Sequence, residues 1–195
     1  RLVFSKQEGT LTSLAHHGRE LLGGGRGYIQ IALSDRNKRV GKWEYRLCRR
    51  EPGLVEIAFF DTAPQNPFEM AAHYILRADE PGFHNYLTLG HDVARSPGTI
   101  QLAQYNFCLR VDPRIFTVAA VDDRRIKPFP IPATLNQQAM VMDATYRLPD
   151  GSCYSKYFYS AAMDEQHKVH GVMGEGVGLW IIMPSHEHLN GGPEH

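Results

Sequence analysis

Short runs of alternating apolar and polar residues, cut by turn residues at regular intervals, constrain this chain more than any other feature. Side chains two positions apart share one face of a strand, so a period of two means a half-buried sheet. The alternation predicts strands over residues 2–4, 10–14, 28–33, 42–49, 54–61, 68–77, 83–89, 100–110, 116–121 and 139–148. Breaks fall at Ser34-Asp35-Arg36-Asn37, Pro52-Gly53, Pro64-Gln65-Asn66-Pro67, Glu80-Pro81-Gly82, Ser96-Pro97-Gly98 and Pro149-Asp150-Gly151, all turn-forming sets. Proline density predicts an extended link over 128–132. A helical pattern is confined to one short candidate, 16–22. Many short strands at even spacing define an all-β, antiparallel β-sandwich or barrel.

The last part of the chain reads as two strands around a polar connection. Ser155-Lys156-Tyr157-Phe158-Tyr159 alternates, with Tyr157 and Tyr159 on one face. A polar stretch with His167, Lys168 and His170 follows, then a glycine-punctuated turn over 171–178, an apolar strand over 177–183, and Gly191-Gly192-Pro193. The connection is dense in groups that exchange protons near neutral pH.

The 195 residues suit one domain, or most of one, with no repeat or internal boundary expected. Net charge is zero, so no global field recruits nucleic acid, and any grip on an acidic polymer must be local. Ten histidines supply groups that titrate at roughly pH 6–7. Three scattered cysteines without a CxxC spacing argue against a disulfide framework and a zinc ribbon. No apolar run is long enough to span a membrane as a helix. The start at Arg1-Leu2-Val3-Phe4 reads as a mature or trimmed terminus.

Candidate chemistry concentrates in a few places. Asp122-Asp123-Arg124-Arg125-Ile126-Lys127 follows an apolar strand; its three cations can neutralise a substrate carboxylate, or form a plain solvated loop. Arg46, Arg49 and Arg50 read as surface charges. His186-Glu187-His188 puts two imidazoles on one strand face, yet lacks an HExxH, a cysteine partner or a clear third ligand. His84 and His91 read as surface or half-buried positions. Tyr157 and Tyr159 serve equally as cross-strand packing or as a platform for sugar rings. Gly23-Gly24-Gly25-Arg26-Gly27 lacks the Gly-Lys-Ser/Thr ending of a phosphate loop and reads as turn chemistry.

Taken as an ordered set, Tyr157-Phe158-Tyr159, Val169-His170-Gly171, Gly174-Glu175-Gly176, Leu179-Trp180 and Gly191-Gly192-Pro193 resemble the rhamnogalacturonan lyases of polysaccharide lyase family 4. A weaker resemblance runs from Val118 to Pro132 and through Val141-Met142-Asp143-Ala144-Thr145. The opening Gly9-Thr10-Leu11-Thr12-Ser13-Leu14 resembles the first hairpin of large mutarotase-like β-sandwiches.

The resemblance implies a galactose mutarotase-like supersandwich that cleaves the rhamnose–galacturonate backbone of rhamnogalacturonan I by β-elimination. The expected form is a secreted monomer that needs no cofactor for catalysis, no nucleic acid and no membrane. It implies a catalytic lysine and histidine, matched here by Lys127 and His170, with Lys156 and His167 as competitors. Substrate contacts fall to Arg124, Arg125, Lys156, Tyr157, Tyr159 and Tyr105. The favoured split has Lys127 as base, its pKa lowered by Arg124 and Arg125, and His170 as acid; the reverse stays open. The family carries an arginine near 104–106, where this chain has Gln104-Tyr105-Asn106. Its sandwich continues past Gly-Gly-Pro, so 1–195 is expected to be an incomplete catalytic domain. The alternatives are an aldose mutarotase or epimerase on the same sandwich, and a non-catalytic carbohydrate-binding domain.

Overall fold

The computed structural model describes residues 1–33, 36–38, 43–63, 66–94, 96–120, 124–130, 132–143, 145–155 and 169–183. Its described residues form antiparallel strands, one short 3-10 turn at Pro132–Thr134 and no α-helix. The expected all-β class holds, and no sheet among the described residues closes into a barrel. The chain divides into two compact units, Arg1–Val111 and Asp112–His195.

In the first unit, one sheet runs β1 (Leu2–Phe4), β2 (Leu11–His16), β4 (Gly27–Leu33) and β10 (Leu102–Leu109), with β3 (Arg19–Glu20) on β2 and β5 (Arg36–Lys38) on β4. The other is a meander of β6 (Trp43–Glu51), β7 (Leu54–Asp61), β8 (Phe68–Arg77) and β9 (Phe83–His91). Alternation decides which face is dry. On β7 and β8, Phe59, Met70, Ala72 and Tyr74 point inward and meet Ile29 and Ile31 of β4. Phe59 is 0% exposed, and its ring lies 5.6 Å from Phe4 and 5.8 Å from Tyr45. These aromatic groups from both sheets make the first unit a sandwich.

The second unit has two smaller sheets. One runs β12 (Ile126–Pro128), β11 (Val118–Ala120), β16 (Val169–Gly174) and β17 (Val177–Ile182). The other is β13 (Met140–Met142), β14 (Thr145–Arg147) and β15 (Cys153–Ser155).

Three local expectations change. Residues 16–22 are not helical: β2 runs to His16, and the Glu20 carboxylate accepts backbone N–H groups from Leu14 (3.1 Å) and Leu22 (3.0 Å), fixing a turn instead. The single strand over 139–148 is a hairpin, with Met140 opposite Tyr146 and Met142 opposite Thr145. The turn over 171–178 is much tighter than expected. β16 runs to Gly174, and only Glu175 (φ 47°) and Gly176 (φ 76°) make the reversal. Two successive positive φ values define the type I′ hairpin turn, whose twist matches its flanking strands. Gly171 and Gly174 serve close approach within the sheet: a Cβ on Gly174 would come within 2.0 Å of the Ile115 carbonyl oxygen.

Candidate active site

The second unit's four-stranded sheet carries both residues matched to the catalytic pair. Lys127 lies on β12, opposite Ala119 of β11, which pairs in turn with Val172 of β16. Val172 faces Leu179, and His170, two residues earlier on β16, faces Ile181. Directly paired residues share a face, as do residues two apart. Lys127 and His170 therefore stand on the same face, two strand spacings apart and offset by two residues. Strand geometry puts their Cα atoms about 12 Å apart.

Each is fixed by backbone pairing rather than held on a loop. The β11–β12 ladder extends by a 2.8 Å bond from the Phe129 N–H to the Thr117 carbonyl. Ala119 and Ala120 of the strand between them are buried. His170 thus sits within a strand and not, as the sequence suggested, in the polar connection before it. Lys127 likewise belongs to a short, exposed strand and not to a loop.

The two differ in environment. Lys127 is exposed at the sheet's side, and His170 is half-buried. The His170 Nδ1 atom is out of contact with solvent and has no hydrogen-bond partner among the described residues. Burial pushes its pKa below the ordinary histidine value of 6.5, because an imidazolium there would lose hydration without gaining a carboxylate. This loss of hydration favours the uncharged ring at neutral pH. Arg124 is exposed and Arg125 half-buried, just ahead of β12. The opposite face is apolar, with a shallow hollow of about 440 Å³ lined by Val118, Met173, Gly178 and Trp180. Trp180 of the Leu179-Trp180 motif thus lies on the face away from His170.

Other expected residues fall elsewhere. Tyr105 lies on β10 of the first unit, in register with Ile31. Next to it, Asn106 has a buried Oδ1 with no hydrogen-bond partner among the described residues, a feature the sequence did not suggest. Asp122, Asp123, Lys156, Tyr157, Tyr159, His167, His186, His188 and Gly191-Gly192-Pro193 lie outside the described residues. His84 and His91 are surface groups that bond locally, to Glu80 and to the Ser96 carbonyl. Arg46 and Arg49 pair with Glu44 and Glu51. No described helix is long and apolar enough to cross a membrane.

A half-buried imidazole and an amine thus share one face of a sheet in an all-β scaffold, with guanidinium groups close by in sequence. The comparisons with known proteins find lyases. The chain is 30% identical over 147 residues to rhamnogalacturonate lyase of Dickeya dadantii, a match taking in 74% of this chain and 24% of that enzyme. It is 27% identical over 151 residues to rhamnogalacturonate lyase B of Emericella nidulans (69% and 23%). To a probable rhamnogalacturonate lyase B of Aspergillus terreus it is 24% identical over 152 residues, with the same coverage of 69% and 23%. The chain is thus a relative of the rhamnogalacturonate lyases, and spans about a quarter of the length of the curated relatives it matches. No protein-family model matches it, and no solved structure does.

Proposed function

We propose that this chain carries the acid–base residues of a pectin-degrading lyase, which cleaves the bond from rhamnose to C4 of galacturonate in rhamnogalacturonan I by β-elimination. The single observation behind this reading is that His170 and Lys127 share a sheet face. The named activity of the relatives supplies the substrate class.

The reaction needs a base at C5 and an acid at the departing oxygen. The base removes the C5 proton, and the electron pair of that bond becomes the C4–C5 double bond. The C4–O bond breaks, and the rhamnosyl oxygen takes a proton. Charge building on the carboxylate must be held by cations or hydrogen bonds. His170, kept neutral by burial, can accept a proton but has none to spare as an acid. This favours the reverse of the split read from sequence: His170 as base and Lys127 as proton donor. Arg124 and Arg125 hold the galacturonate carboxylate, a task to which the planar guanidinium is suited. Tyr157 and Tyr159 stack on the sugars, with Lys156 as a further contact. The chemistry uses no catalytic metal, and the protein acts outside the cell as a monomer.

Ultraviolet absorbance on mixing with de-esterified rhamnogalacturonan tests the reading, with polygalacturonan as control. Elimination leaves a double bond conjugated to the carboxylate, which absorbs; a hydrolysis product does not. The expected result is a rise on rhamnogalacturonan alone, abolished in Lys127→Ala and in His170→Ala. A rise undiminished by His170→Ala would overturn the site. Release of products without absorbance, or none from the folded chain, would overturn the reaction.

A further inference from the structure

A second cluster lies in the first unit, on the outer face of the β6–β9 sheet, and the lyase chemistry does not use it. On β6 the register slips between Leu47 and Arg49: Leu47 faces Ile57, and Arg49 faces Glu56. Cys48 is the extra residue of this bulge, brought opposite Glu56. His73 of β8 faces Ala58, two residues from Glu56, and Tyr86 of β9 faces His73. Register thus gathers a thiol, a carboxylate and an imidazole from three adjacent strands. The Cys48 Sγ, a Glu56 oxygen and a His73 ring nitrogen all lie within 4.8 Å of one another.

The surroundings hold these groups in place. The His73 ring stacks on Tyr86, with centroids 4.4 Å apart and planes 9° apart, and meets Phe60 at its edge at 6.1 Å. The His73 Nδ1 lies 2.9 Å from the Glu56 Oε1, and the Tyr86 hydroxyl donates to the same oxygen at 2.9 Å. Nearby guanidinium charges are already balanced: Arg46 by Glu44 at 2.9 Å, and Arg49 by Glu51 at 2.7 and 2.8 Å. Partial loss of hydration, and then the Glu56 charge, push the Cys48 thiol up.

We propose that Cys48, Glu56 and His73 form a binding site for a borderline-soft divalent cation of the zinc type, which ties β6, β7 and β8 together at the bulge. Thiolate, carboxylate and neutral imidazole are the ligand set that zinc takes, and two anionic ligands balance its charge. Three protein ligands leave a fourth position for water. On binding, the Cys48 thiol gives its proton to solvent, and the cation replaces the Nδ1–Oε1 hydrogen bond. Tyr86 orients Glu56 from behind, as partners of metal-bound carboxylates do.

Cobalt(II), which reports its ligands by colour, tests this. The chain, reduced and stripped of metal, is titrated with cobalt and read in the visible and near ultraviolet. The expected result is a tetrahedral visible spectrum with a thiolate-to-cobalt band that saturates at one ion per chain and is displaced by zinc. Cys48→Ser, at an exposed position, abolishes the near-ultraviolet band, while Cys108→Ser and Cys153→Ser keep it. Tyr86→Phe keeps the band and weakens affinity roughly 10-fold or more. A band that survives in Cys48→Ser, or no band at all with the folded chain, would overturn the site.

Discussion

His73 and His170 each sit on an inner strand of a four-stranded antiparallel sheet, and their surroundings are opposites. His73 is stacked on Tyr86, edged by Phe60 and bonded to Glu56. His170 has a buried Nδ1 and no partner among the described residues. A buried polar atom without a partner carries a cost in stability, which structure elsewhere must offset. In the first unit, ring nitrogen, carboxylate and phenol satisfy each other. In the second, an imidazole is left with unused bonding capacity on the face that also carries Lys127.

The largest test of this contrast is catalytic. His170→Gln keeps a similar volume and removes the titrating ring; we expect elimination to fall roughly 100- to 10,000-fold with unchanged circular dichroism. His73→Gln should leave the rate within about threefold, because His73 belongs to the other unit's network. A comparable loss in both variants would erase the distinction.

Next in size is the core beneath His73. Phe59→Ala, at a side chain with no exposure, should cost about 3–5 kcal/mol in urea unfolding. Glu56→Ala strips both His73 and Tyr86 of their acceptor and should cost about 1–3 kcal/mol. The Glu56 carboxyl is held below its usual value by the His73 and then the Tyr86 hydrogen bonds. Gly176→Ala meets open space but forces a Cβ onto a φ of 76°, for about 1 kcal/mol by thermal melting.

The smallest effect is one of pH. The folded pKa of His170 lies below its unfolded value, so in the window between them the unfolded chain binds more protons. His170 should thus lower stability as pH falls through 6.5, with the loss levelling off below the folded pKa. Comparing urea midpoints of wild type and His170→Gln across that window isolates its share. A wild-type slope no steeper than that of the variant would contradict the burial argument.

Parts of this contrast were legible in the sequence. β7 and β8 match the predicted 54–61 and 68–77 because apolar runs of strand length are bounded at both ends by proline-bearing turn sets. The likeness to rhamnogalacturonate lyases was legible from the run around His170. The strand setting of His170 was not, because Gly171 and Gly174 read as turn punctuation. Their role is to let β17 and the 115–117 backbone come close, which spacing alone does not reveal. The strand setting of Lys127 was hidden by its charged neighbours, since a three-residue strand leaves too short a pattern to detect. The hairpin inside 139–148 turns near Asp143 without glycine or proline, the usual signals. The Cys48, Glu56 and His73 cluster depends on a bulge that shifts register by one residue, and cross-strand register is not written in local sequence.

The central claim is that His170 is uncharged at neutral pH because it is half-buried and its Nδ1 has no partner among the described residues. Proton NMR titration of the ring, assigned by the signal missing from His170→Gln, tests it on the chain as it stands. The account predicts a midpoint below 6.5. A midpoint at or above that value would mean that the ring is paired or solvated, and that the base is another group.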